Sequence, residues 1–285
     1  IATPLGNTAE SGTITLNGYV GIGFSDIVTV DALASLTTGK ATSKNSDATS
    51  GDIYIYGQGA DIQGDMETGI ATTDGATKTA RSGEISINGN YDGGNSVTLD
   101  KSTTGYAKAT GGYAYSGVIH VHGQGITAKG DLTTGLADTT AFGSTAKSGW
   151  IELSVYNGVD GTGLVTVDPG VTIRTGNATS ANDFAGTGYI SLVGKGVMVK
   201  GDLLVTGDAT TGGIGDNTDS GDINVNGNYD GGAAVTLTSA TTGKATNTFI
   251  GGYADSGDIT VKGQGITVKG DLTTGYSDYG SLGRY

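Results

Sequence analysis

The only two histidines of the chain stand two apart, His120 and His122 in SGVIHVHG. Residues two apart on a strand share a face, so both imidazoles leave one surface. Alignment of the internal repeats described below sets Glu152 beside His120 on the next segment. Two imidazoles and a carboxylate make an incomplete ligand set for a divalent ion, and the neighbouring positions add only Ser86, Asn88 and Ser154. A weak metal site and two exposed histidines without a role are both open.

Carboxylates offer a second chemistry, because polysaccharide-cleaving β-proteins need acids clustered on one face. The best acid column is Asp65, Asp131, Asp202 and Asp271, each after a glycine. It occupies alternate repeats only, which keeps like charges about two strand spacings apart, and aspartate is an ordinary turn residue. Asp92 and Asp230, in the two NYDGG stretches, have calcium-type oxygens but neither the loop spacing nor the closing glutamate of an EF-hand. They read as turns, with bound calcium kept open. Asn177-Ala178-Thr179 is the one N-glycosylation sequon. There is no GxSxG, no HExxH and no cysteine, and glycine runs such as GQGIT lack the strand–loop–helix order of a phosphate loop. No catalytic residue and no other cofactor is expected, and the chain reads as a non-enzyme.

The elements that carry these residues follow from composition. The chain has 285 residues, of which 54 are Gly and 44 are Thr, with only 2 Pro. Both abundant types disfavour helix, one through backbone entropy and the other through a stiff χ1, so the fold is expected to be all-β. Hydrophobic residues at 35% and regular aliphatic pairs argue against disorder. No apolar run approaches a membrane span, and a charge of −13 opposes nucleic acid and anionic membranes. The chain opens on Ile1 rather than Met, which reads as a processed product.

Self-similarity then sets the architecture. Ser-Gly-x-apolar-x-apolar recurs as SGTITL (11–16), SGDIYI (50–55), SGEISI (82–87), SGVIHV (116–121), SGWIEL (148–153), TGYISL (187–192), SGDINV (220–225) and SGDITV (256–261). Aligned, the eight copies form two apolar columns. One runs Ile14, Ile53, Ile85, Ile119, Ile151, Ile190, Ile223, Ile259, and the other Leu16, Ile55, Ile87, Val121, Leu153, Leu192, Val225, Val261. A second strand follows in most repeats, as in Val97/Leu99, Ile126/Ala128, Val165/Val167, Val197/Val199 and Val235/Leu237. One repeat cannot bury such pairs alone, so successive repeats must stack like onto like as a parallel β-solenoid. The expected organisation is an N-terminal extension over 1–10, possible material for an inter-subunit strand, a solenoid over 11–275, and a tail over 276–285. Residues 11–147 and 148–285 match repeat for repeat, as a tandem duplication would. The polar, variable stretches after each Thr-Gly, such as 40–49, 136–147 and 177–186, read as side loops or a less regular third face.

Runs like SGDITVKGQGITVKGDLTTG (256–275) resemble the coils of right-handed β-helix surface proteins in the style of filamentous haemagglutinin. The resemblance covers nearly all of 11–275. It implies a right-handed coil and an exported, elongated, adhesive protein.

A solenoid exposes its core at both ends unless something covers them. The flanking decapeptides do not read as caps, so the ends are expected to meet identical copies head to tail. Ile1, Leu5, Ile14 and Leu16 at one end and Ile259, Val261, Tyr276, Tyr279 and Tyr285 at the other are the candidate contact residues. A head-to-tail contact that does not close makes a filament. The first functional expectation is therefore a structural subunit of an extracellular filament or surface layer, located at the cell surface, with identical subunits as partners. An adhesin or glycan-binding passenger is the alternative, marked by aromatic residues in register. A polysaccharide lyase or hydrolase comes third.

Overall fold

The isoleucine columns explain the fold best from the middle of the chain. In Ile119–Gly123 the side chains of Ile119 and Val121 are buried while His120 and His122 stay half-buried outside. The computed structural model describes residues 8–18, 27–89, 95–155, 163–213, 216–227, 232–249 and 252–280. Asp92, Asp230, Ile1, Leu5 and Tyr285 lie outside these residues. Across them the chain makes five short strands per turn, and each strand pairs in parallel with its equivalents in the adjacent turns, on one side only at the first and last described turns. The result is a right-handed parallel β-solenoid of five eight-stranded sheets. In the turn containing the histidines the strands, numbered here as sheets one to five, are Tyr113–Tyr115, Ile119–Gly123, Ile126–Ala128, Leu132–Thr133 and Ala137–Thr139.

Register agrees with the repeat alignment. Ile14, Ile53, Ile85, Ile119, Ile151, Ile190, Ile223 and Ile259 are successive partners through sheet two. In sheet three Ala60 and Ile62 supply the inward pair of the second turn. Sheets two, three and four close round one aliphatic core, in which Ile53, Ile85, Ile119, Ile151, Ile190 and Ile223 are all 0% exposed. Burying each such side chain stabilises the fold by about 1.5–3 kcal/mol.

Of the two readings of the variable stretches, side loops or a third face, the structure takes the second for most of their length. The variable stretches after Thr-Gly form sheet five and then, across a short arch, sheet one of the next turn. Ala41–Ser43 and Ala48–Thr49 are one such pair. Between them lies a second core whose apolar members are all alanine: Ala41, Ala71, Ala107, Ala137, Ala178 and Ala209 from sheet five meet Ala48, Ala80, Ala114, Ala146 and Ala185 from sheet one, and beside them Thr73, Thr139, Ser180 and Thr211 are buried as well. Alanine is a poor strand former by propensity. Two sheets folded back on so short an arch can approach only if the side chains between them are small, here alanine with threonine and serine hydroxyls that pair across the gap, as Ser144 does with Thr139 at 2.9 Å, and packing overrides propensity. The boundaries shift accordingly. Ala9–Glu10 is a strand of sheet one paired with Ala48–Thr49, and Ser277–Tyr279 pairs with Ala245–Asn247 in sheet five. Among the described residues no helix is long and apolar enough to cross a membrane.

Candidate functional site

The aliphatic and alanine lobes meet at a waist built from the two Gly motifs. On one side stand the Ser-Gly pairs, on the other the Thr-Gly pairs, and both sets stack turn upon turn. Each hydroxyl serves two rungs. The Thr104 hydroxyl donates to the Gly117 carbonyl at 2.7 Å and accepts from the Gly135 N–H at 3.0 Å. The Ser82 hydroxyl donates to the Gly105 carbonyl and accepts from the Gly117 N–H, both at 2.6 Å. The same exchange recurs at Ser50, Thr68, Thr134, Thr175, Thr187, Ser220 and Thr242. Glycine is required because the rungs touch: a Cβ on Gly83, Gly117, Gly149 or Gly188 would overlap the carbonyl oxygen of the glycine one turn earlier.

On the Ser-Gly side the waist is concave, and its floor carries no side chains at the glycines. A cleft of about 530 Å³ runs there between sheets one and two. One wall is the outward column of sheet one, Thr49, Arg81, Tyr115 and Lys147 in successive turns. The facing wall is the residue before each core isoleucine: Asp52, Glu84, Val118, Trp150 and Tyr189. Trp150 and Tyr189 stack with ring centroids 5.8 Å apart and planes 14° from parallel. The Arg81 guanidinium sits 5.0 Å from the Tyr115 ring centroid and the Lys147 ammonium 5.0 Å from that of Phe184, a cation–π geometry. Asp219 closes one end; burial, reinforced by Asp255 and Asp222, pushes its carboxyl above the usual range. Burial also raises the Tyr115 and Tyr189 phenols.

The histidine cluster lies on the outer face of sheet two. Glu152 is the rung partner of His120, and its Oε2 is 3.6 Å from His120 Nε2. The two imidazoles meet edge to face with centroids 4.0 Å apart. Burial, then the neighbouring His120, lowers the affinity of His122 for its proton. Register thus brings these three residues together; among the described residues no group of three or more His, Asp or Glu is arranged to hold a metal ion.

The acid column divides. Asp131 accepts from the Thr172 N–H at 2.7 Å, a turn role, while Asp65 lies 3.9 Å from Lys101 on the surface. Asn177 is exposed, and its side-chain oxygen accepts from the Asp208 N–H at 3.0 Å. Of the end residues, Ile14, Leu16, Ile259 and Val261 pack partly buried against the aliphatic core, whereas Tyr276 and Tyr279 are exposed. The aromatic and charged walls of the cleft were not legible as a site. The nearest signal was the position before each core isoleucine, where Trp150 and Tyr189 stand among acids and small residues.

No protein family matches this chain, nor does any curated protein or solved structure.

Proposed function

We propose that this chain is a structural subunit of an extracellular filament or surface layer, a solenoid in the style of the filamentous-haemagglutinin coils that stacks head to tail on copies of itself. The observation that carries the reading is the fit between the waist of the first described rung and that of the last. Interior glycines are sterically forced by the rung before them, yet Gly12 has nothing within 4 Å of the position a Cβ would take, and Gly39 meets no backbone, only the Ser11 side chain, with Cβ at 3.2 Å and Oγ at 3.7 Å. Neither glycine has described backbone of a preceding rung to make room for. A last rung placed below it supplies one: the carbonyls of Gly257 and Gly275 would stand where those of Gly12 and Gly39 stand under Gly51 and Gly69.

The opposite end is complementary. Each waist threonine donates to a glycine carbonyl one turn on, as Thr242 does to Gly257 at 2.8 Å. Among the described residues the Thr274 hydroxyl meets no such acceptor, and Gly12 of a following copy offers it one. Ile266, Val268 and Leu272 are 49%, 40% and 43% exposed on that end, although their equivalents one turn earlier, Val235, Leu237 and Ala240, are fully buried. Covering them with the first rung of another copy removes apolar surface from water on both partners.

The test is negative-stain microscopy and sedimentation of the purified chain beside the double variant Gly12→Ala, Gly39→Ala. Filaments or long oligomers are expected from the natural chain, and shortened or absent ones from the variant. A natural chain that stays monomeric at high concentration overturns the proposal.

A further inference from the structure

We infer that the cleft along the Ser-Gly side of the waist is a binding site for a linear, uncharged oligosaccharide lying parallel to the solenoid axis. This goes beyond assembly and does not depend on it, because the cleft faces sideways and stays open whether or not the ends are covered.

The occupant follows from what the cleft offers and withholds. Its floor cannot pair with a peptide strand, because the backbone groups there are already used. The Gly117 N–H donates to Ser82 and its carbonyl accepts from Thr104; the Gly149 N–H donates to Ser116 and its carbonyl accepts from Thr134. Strand addition needs free main-chain donors and acceptors. Recognition must come from the walls.

Those walls suit a sugar ring, which has an apolar C–H face and a rim of hydroxyls. Trp150, 40% exposed, stands next to the much shorter Val118, so the column steps down and leaves a notch beside the indole. An aromatic surface flanked by a few polar groups is the general make-up of a ligand cleft. Glu84 on the same wall accepts hydrogen bonds, and Arg81 and Lys147 opposite donate them. Among the described residues neither cation has a carboxylate within ion-pair distance; the aromatic rings hold them instead. Both donors and acceptors are therefore available to hydroxyl groups. A protein of net charge −13 disfavours a polyanion, and the two cations are offset by Asp52, Glu84 and Asp219 around the same cleft.

Trp150 is the only tryptophan, so its emission reports on the cleft alone. The experiment titrates the full chain with cellohexaose, xylohexaose, mannohexaose and chitohexaose, following tryptophan fluorescence and calorimetric heat. At least one is expected to shift the emission saturably. Trp150→Ala should weaken that binding by at least about ten-fold by calorimetry, a loss of one decade in Kd, and Val118→Trp, which fills the notch while leaving the other walls in place, should abolish it. Phe142→Ala, on an exposed arch away from the cleft, should bind as the natural chain does. Absence of emission change and heat with all four sugars at millimolar concentration overturns the inference, and so does natural affinity in Val118→Trp. Filament formation by a chain that binds no sugar would leave the assembly reading standing and remove this one.

Discussion

Gly51 lies directly over Gly12, so close that a Cβ on Gly51 would overlap the Gly12 carbonyl oxygen, and the Gly51 N–H donates to the Ser11 hydroxyl at 2.6 Å. This contact repeats at the Ser-Gly corner of every later turn. It sets how tightly the two lobes are joined.

Gly117→Ala therefore forces a methyl group into backbone of the preceding turn. Overpacking a closed interior costs about 1–3 kcal/mol, and this site belongs at the upper end because the Gly83 carbonyl it meets is held by the Thr68 hydroxyl at 2.7 Å. Gly12→Ala has open space and should change the stability of the dispersed chain by less than about 0.5 kcal/mol. Urea unfolding of the two variants beside the natural chain measures the difference, and equal midpoints would contradict the account.

Thr104→Val keeps the shape and removes the hydroxyl. It leaves the Gly117 carbonyl and the Gly135 N–H without their partner at a site only 2% exposed. Each stranded buried group costs about 1–3 kcal/mol. A lower midpoint with an unchanged denaturant slope is the expected result; Thr103→Val, half-buried on the outer face of sheet four, should be nearly neutral.

The two cores should respond oppositely to size. Ile119→Ala empties part of the aliphatic lobe and should destabilise by about 2–5 kcal/mol. Ala114→Leu overfills the alanine lobe, where sheets one and five approach across small side chains, and should cost about 1–3 kcal/mol or open that lobe outright. Thermal unfolding of both variants tests this, and tolerance of leucine at 114 would show that the lobe is loosely packed.

Two titrations carry opposite signs. His122 binds its proton less tightly folded than unfolded, first through burial and then through His120. Its contribution to stability is therefore present above the unfolded value, about 6.5, and is lost as the pH falls below it through the folded value. His122→Gln should flatten this loss. Asp219 binds its proton more tightly folded, mainly through burial, so its ionisation opposes folding at neutral pH. Asp219→Asn should raise the unfolding midpoint at pH 7, with the gain shrinking as the solution is acidified. Midpoints measured at a series of pH values check both.

Much of the fold was readable because aliphatic residues at period two leave few choices. Ile14 through Ile259 could be aligned by eye, and stacking was the only way to bury them all. Alanine and threonine carry a weaker signal. Ala107 and Ala109 in a stretch of small polar residues look like loop until the opposing Ala114 is seen across the arch. The histidine pair and Glu152 were placed together correctly by register, since strand spacing alone decides that neighbourhood.

What the sequence by itself determined was the rung: which residues face inward, which repeat stands on which, and that eight of them share one axis. What only the tertiary structure decided was the angle at which the chain turns between sheets. That angle makes the waist, commits the Ser and Thr hydroxyls to glycine backbone, and sets the Arg81 and Lys147 column opposite the Trp150 column across a cleft. Periodicity reports burial along a strand, and it carries no information about how two strands joined by a glycine are inclined to one another.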